Sequence, residues 1–276
     1  MMDAAAVRNS IERASTLTTI PAVAREALEL IGNPRASLAN ISDFVARDPS
    51  LASRLLKMVN SVIYGFPQRI TSINQAVMLL GLNVVRGLLL NVTVFDLMKK
   101  TMVGLWEHSA GAAVVSRLIA KKRGLRDAEE AATYGLLHDL GKSLLLLAWP
   151  KVYARALKET HDLETSIRST ELEHFGVDHA AAGSWAAQQW NFPLRLVEVI
   201  RYHHTPQLAK NARTETAIAH LANVIVRGRG FGFGGDAGVP PVDPAAWELI
   251  GLSERDLREI LEEMEDLLEE VEEFSR

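Results

Sequence analysis

His138-Asp139-Leu140-Gly141-Lys142 closes an apolar helical stretch of this 276-residue chain. An imidazole supplies a neutral nitrogen and an adjacent carboxylate can bridge to a second ion, so the pair can serve metal chemistry. Burying such a pair with no metal or other cation is costly. Lys142 is placed to contact a phosphate, with Gly141 allowing a tight turn between Asp139 and the lysine. The alternative for the pentapeptide by itself is a helix end whose charged residues face water.

The elements that must position such a site are helices. His108 lies early in a helix running to about Ala120, with Ala112, Ala113, Val115, Leu118 and Ile119 at helical spacing. Asp178 reads as an N-cap, putting His179 at the start of a helix that ends near Trp190. His203 and His204 end a helix carrying Leu194, Leu196, Val197, Val199 and Ile200, and Thr205-Pro206 stops it. Asn223 falls inside the apolar helix around Ala217–Val226, and His220 lies on a similar face as a core or supporting polar residue. Helical bundles place metal ligands in this way, from facing helices into a shared interior. His161 and His174 sit in polar surroundings and read as surface residues.

The ordered series His108, His138-Asp139, Gly141-Lys142, His179, His203-His204 and Asn223 resembles the HD superfamily of metal-dependent phosphohydrolases, closest to the HD-GYP branch in its ligand set. Upstream, Leu17-Thr18-Thr19-Ile20-Pro21-Ala22-Val23, Asp48-Pro49-Ser50-Leu51, Asn60-Ser61-Val62-Ile63-Tyr64-Gly65, Ile73-Asn74-Gln75-Ala76-Val77 and Leu80-Gly81 resemble the HDOD domain, an HD-related output domain of bacterial signalling proteins. The likeness covers roughly residues 15–226. It implies one metal position served by His108, His138, Asp139 and the residue at 223, and a second served by bridging Asp139 with His179, His203 and His204.

This chain has Asn223 where the family has an aspartate, and Thr205-Pro206-Gln207-Leu208 follows His204 with no Gly-Tyr-Pro. The first departure removes a negative charge and leaves repulsion between two ions poorly offset. One divalent transition metal (Fe, Ni, Mn or Zn), rather than two, is therefore the expected cofactor. The second departure means that cyclic-di-GMP cleavage does not carry over. The expected function is a signalling or regulatory HDOD module with a partly degenerate metal site. The alternative is a metal-dependent phosphohydrolase acting on a nucleotide or cyclic dinucleotide, with Asp139 and Lys142 as its catalytic residues.

The expected fold is an all-α, two-lobed helical bundle: an N-terminal multi-helix lobe at 1–100, an HD-like lobe at 101–227, and a Gly/Pro linker with an acidic helix at 228–276. Asp48 and Pro49 mark one helix start and Pro21 another, and Leu51, Leu55, Met58, Val59 and Val62 share a face. Arg227 to Gly235 reads as a flexible Gly-rich connection before Pro240-Pro241 and a short helix near Pro244–Leu252. Trp106, Trp149, Trp185 and Trp190 read as packing residues. The chain has no cysteine, which confines the ligand pool to His, Asp, Glu and Asn. Val84–Leu97 is too short and too interrupted to span a bilayer, and Met1–Ser10 has no long apolar core. A cytoplasmic location is expected.

From Glu254 to Arg276 there are eleven acidic and three basic residues, a net of −8, which leaves the remainder at +4 in a chain of net −4. Leu257, Ile260, Met264, Leu267, Val271 and Phe274 form an apolar seam widened by Leu261 and Leu268. That seam suits docking onto its own domain or, alternatively, a homodimer or partner contact. Signalling proteins are the expected partners; the acidic face argues against nucleic acid and anionic membranes.

Overall fold

Asp48 accepts hydrogen bonds from the backbone N–H groups of Ser50 and Leu51, and Pro49 takes the first helical position, so a helix begins where the sequence sets its cap. The same logic recurs along the chain. The computed structural model describes residues 2–12, 26–27, 29–30, 33, 35–78, 85, 89, 92, 102–126, 128–190 and 192–275. The Leu17–Val23 and Leu80-Gly81 motifs, most of Val84–Leu97 and the Phe274 side chain lie outside them.

The helices are α1 (Ala4–Glu12), α2 (Leu38–Ala46), α3 (Pro49–Val59), α4 (Leu105–Lys122), α5 (Ala128–Leu137), α6 (Leu140–Ala148), α7 (Pro150–Asp162), α8 (Ile167–Phe175), α9 (His179–Gln189), α10 (Leu194–Tyr202), α11 (Arg213–Arg229), α12 (Pro244–Ile250) and α13 (Glu254–Ser275). No strand occurs among the described residues, and the fold is all-α. None of the described helices is long and apolar enough to cross a membrane.

Helix α4 is the axis of the second lobe. Apart from Glu107, every residue from Leu105 to Ala120 is buried, as expected of a helix surrounded on all sides. It packs against α5, α11 and α13. Gly135 permits the close approach of α5, since a Cβ there would lie 2.5 Å from the Ala112 carbonyl oxygen. On α13 the seam residues Ile260, Met264, Leu268 and Val271 are buried within the chain, so the acidic helix docks on its own domain. Leu267 is only partly covered and Leu261 is exposed.

The two lobes share one apolar core, and a polar clasp fixes their junction. Buried Arg117 of α4 donates from Nε to the Ile63 carbonyl at 3.1 Å and from Nη2 to the Val62 carbonyl at 3.0 Å. Gly65, at φ 61°, lies so close to that guanidinium that a Cβ would meet it at 2.5 Å. Helix α1 departs from the expected 1–100 lobe, because Val7 and Ile11 turn it onto α9 and α6, with Arg8 over the Trp185 ring. Trp106 and Trp190 are buried and Trp149 and Trp185 half-buried, in keeping with packing roles.

The Gly-rich segment is not a free linker. Helix α11 continues to Arg229, and the following turn docks on the start of α4 through the Phe233 N–H, which donates to the Gly104 carbonyl at 2.8 Å. Gly232, at φ 68°, comes so close to α4 that a Cβ would lie 2.2 Å from the His108 backbone nitrogen. The glycines serve close approach rather than flexibility.

Candidate metal centre

His138 and Asp139 occupy the turn between α5 and α6, where Asp139 holds the N-cap position of α6. An aspartate there ordinarily caps the helix with its side chain. Asp139 makes no such bond, and its carboxylate turns instead into a cluster of imidazoles. Oδ2 lies 3.3 Å from His108 Nε2 and 3.2 Å from His138 Nε2. Oδ1 lies 3.2 Å from His179 Nε2 and 3.7 Å from His203 Nε2. His204 Nε2 is 2.8 Å from His179 Nε2.

Two compact ligand groups result: His108, His138 and Asp139 on one side, and His179, His203 and His204 on the other. All are buried except His204, which is partly exposed. Asn223 is buried on α11, a helix packed on both α4 and α5.

The imidazoles are aimed by their outer nitrogens. His138 Nδ1 is 2.7 Å from the Gly135 carbonyl and His203 Nδ1 is 2.9 Å from the Ile200 carbonyl, so each Nδ1 carries the proton and donates. His179 Nδ1 is 2.6 Å from Glu171 Oε2. The Nε2 atoms therefore face inward, toward one another and toward Asp139. Asp139 Oδ1, His203 Nε2 and Asn223 Oδ1 are buried without a hydrogen-bond partner. Unpaired buried acceptors are costly, and His203 Nε2 beside Asp139 Oδ1 is a pair of acceptors that suits a cation.

Burial holds the His108 imidazole down to about 4, only partly offset by Asp139. Burial, reinforced by neighbouring histidines, also holds His203 and His204 well below the usual imidazole range. These rings are neutral at pH 7 and offer lone pairs, the state a metal requires. Burial alone would lower His179 as well, but Glu171 and Asp139 outweigh it and raise the ring to about 9. The proton favoured there is a positive charge that a metal at Nε2 would replace. Burial alone would raise Asp139, but His138 and Lys142, with hydrogen bonds from His108 and His138, hold it well below the usual carboxylate range.

Lys142 and Gly141 differ from the expectations set for them. The Lys142 side chain is buried, with Nζ 2.5 Å from Asp139 Oδ2. It neutralises the central carboxylate instead of standing free for a phosphate. Gly141 lies inside α6 and makes no special turn. Its missing Cβ lets α9 approach, since a Cβ would lie 1.9 Å from the His179 carbonyl oxygen and 2.7 Å from the Gly183 nitrogen.

His220 supports the centre from behind: its Nδ1 donates to the His203 carbonyl at 2.8 Å and its Nε2 accepts from the Asp243 N–H at 2.9 Å. His161 is exposed, and His174 pairs with Glu159. Glu171 is fully buried and was not among the residues singled out in the sequence. The spacing Ile167, Glu171, Phe175 puts it on the buried face of α8, a sign of burial but not of its contact with His179.

A cavity of about 810 Å³ opens on the second ligand group. His179, His204 and His220 line it, with Ile167, Phe233 and Pro240. The first ligand group does not line it.

The all-α bundle thus gathers five histidines and one aspartate, all but His204 buried. The HDOD domain family model matches residues 17–206, and the chain belongs to that family. An uncharacterized protein of Treponema pallidum (strain Nichols) is 27% identical over 224 residues, 78% of this chain and 43% of the relative, so the chain spans less than half of that relative's length.

Three solved structures share the fold. An HDOD domain protein of unknown function from Geobacter sulfurreducens has a TM-score of 0.71 at 24% identity, covering 97% of this chain and 96% of its own. A candidate signal transduction protein from Marinobacter aquaeolei VT8 has a TM-score of 0.69 at 19% identity, covering 99% and 66%. A candidate phosphohydrolase from Shewanella amazonensis SB2B has a TM-score of 0.68 at 24% identity, covering 96% and 97%.

Proposed function

We propose that this chain is a signalling module whose HD-type centre holds one divalent transition metal and works by binding rather than turnover. The ion would be held by His179, His203 and His204 with Asp139 Oδ1, a nitrogen-rich set suited to Fe, Ni, Mn or Zn. When bound, such an ion supplies Lewis acidity and lowers the pKa of a coordinated water.

The observation that carries this reading is the buried Lys142 ammonium, 2.5 Å from Asp139 Oδ2. A two-ion hydrolytic site needs that oxygen to bridge toward an ion at His108 and His138. Here an internal cation already neutralises it, and Asn223 adds no negative charge. The His108 and His138 half then serves as a charge-balanced structural group. The candidate signal transduction protein of the same fold is in keeping with this role.

Partners are proposed to be signalling proteins in a cytoplasmic setting, meeting the exposed acidic face of α13, with no nucleic acid or membrane involved. A homodimer through α13 would use what its docked seam leaves uncovered, Leu261 and part of Leu267.

The cavity beside His179 and His204 favours a second reading, a metal-dependent phosphohydrolase in which Asp139 and Lys142 take part. Incubating manganese-, iron- or nickel-loaded protein and its Asp139→Ala variant with nucleotides and cyclic dinucleotides separates the two. The signalling reading expects equal background rates in both. Turnover at an ordinary enzymatic rate, lost in Asp139→Ala, would overturn it in favour of the hydrolase.

A further inference from the structure

Three fully buried side chains stand in line behind the centre, each from a different helix: Tyr153 on α7, Glu171 on α8 and His179 on α9. Tyr153 Oη donates to Glu171 Oε1 at 2.8 Å. Glu171 Oε2 accepts twice from the same residue, from the His179 backbone N–H at 2.8 Å and from its ring Nδ1–H at 2.6 Å. A carboxylate in the core has to be justified by its partners, since burying an ionised group without them is strongly unfavourable. Glu171 has partners on both oxygens, and they set one ring orientation for His179.

We propose that Glu171 is the positioning residue of the metal centre, fixing the rotamer and tautomer of His179 so that Nε2 faces the ion, with Tyr153 holding Glu171 in turn. The inference rests on the metal-binding reading above. Because Oε2 grips the backbone and the ring together, the first residue of α9 and its imidazole turn as one unit. Among the three histidines of the second ligand group, His203 is aimed by a backbone carbonyl and His179 by this carboxylate. An imidazole donating to a carboxylate is a stronger metal ligand than one donating to a carbonyl, because the carboxylate raises its basicity. His179 is then the residue where the affinity of the group is set.

Loss of such an outer partner lowers metal affinity by about 10–100-fold. Cobalt(II) is a suitable probe, because its visible spectrum reports coordination geometry and its binding can be titrated without any reaction. Glu171→Gln keeps the shape, and Glu171→Asp keeps the charge but shortens the reach. Tyr153→Phe removes only the hydroxyl.

The expected result is cobalt bound about 10–100-fold more weakly by Glu171→Gln, with an altered visible spectrum, and a smaller loss in Tyr153→Phe. The melting temperature of the metal-free variant should change far less than the affinity does. Partial recovery in Glu171→Asp would support the charge. If wild type binds cobalt and Glu171→Gln binds it equally tightly with the same spectrum, the positioning role is overturned and the metal-binding reading stands. If wild type binds no cobalt, it is the metal-binding reading that fails. A Glu171→Gln chain that loses its fold in the metal-free state would also overturn the proposal if Tyr153→Phe, folded, binds with wild-type affinity and spectrum.

Discussion

Replacing Gly141 by alanine tests how the fold sets the centre's dimensions. The new Cβ would sit 1.9 Å from the His179 carbonyl oxygen, whereas real Cβ atoms keep at least 3.0 Å from such neighbours. The difference is 1.1 Å, and the three nearest atoms, of His179 and Gly183, all belong to the α9 backbone, which cannot swing aside as a side chain would. Helices α6 and α9 must therefore separate, carrying His179 away from Asp139. Overpacking of this kind costs about 1–3 kcal/mol or more. For a chain of this size that corresponds to a fall in melting temperature of about 2–12 °C.

The same movement takes His179 Nε2 out of reach of an ion shared with Asp139, since ligand distances must hold to about 0.2 Å. Metal affinity should fall at least about ten-fold, by analogy with losing an outer partner. Circular dichroism melts of metal-free protein and calorimetric cobalt titration read the two effects separately. Gly228→Ala is the control: it is helical, with no heavy atom within 4 Å of its would-be Cβ, and should gain about 0.5–1 kcal/mol. A Gly141→Ala protein with wild-type melting and wild-type cobalt affinity would refute the reasoning.

Three further outcomes are expected. Arg117→Met leaves the Ile63 and Val62 carbonyls without their donor and should cost about 2–5 kcal/mol in denaturant unfolding, whereas an unchanged midpoint would mean the lobes are held otherwise. Glu198 accepts from the N–H groups of Lys210, Asn211 and Ala212, and although burial opposes it, these bonds and the Asn211 side chain hold its carboxyl below the usual range. Its stabilisation is complete above the unfolded value of about 4.3 and is lost as pH falls through the lowered folded value, so the melting difference from Glu198→Gln should be largest near neutrality and close in acid. Asn223→Asp adds a carboxylate where Oδ1 is buried and unpaired, and should raise manganese occupancy above one ion per chain by elemental analysis.

The helical framework was legible because its signals are local. Asp178 caps α9 through the Ala181 N–H, and α12 spans Pro244–Ile250, close to the short helix expected near Pro244–Leu252. The imidazoles and Asp139 that converge were each readable as polar residues on apolar helices.

What escaped the sequence depended on distance across the fold. Glu171 matters only because α8 lays it against the start of α9, and an isolated glutamate carries no sign of that. Gly141 looked like a turn residue because the sequence does not show which backbone will approach it. Lys142 is the exception: its partner is only three positions earlier, and what the sequence does not show is that both side chains are buried together. The Gly-rich segment read as slack because its docking surface on α4 lies more than a hundred residues away.

Elemental analysis of the purified chain beside its His203→Ala variant tests the central claim most directly. The account predicts one transition-metal ion per wild-type chain and strong depletion in the variant. Wild-type protein without stoichiometric metal under metal-replete expression, or with two ions and phosphodiester turnover, would contradict it.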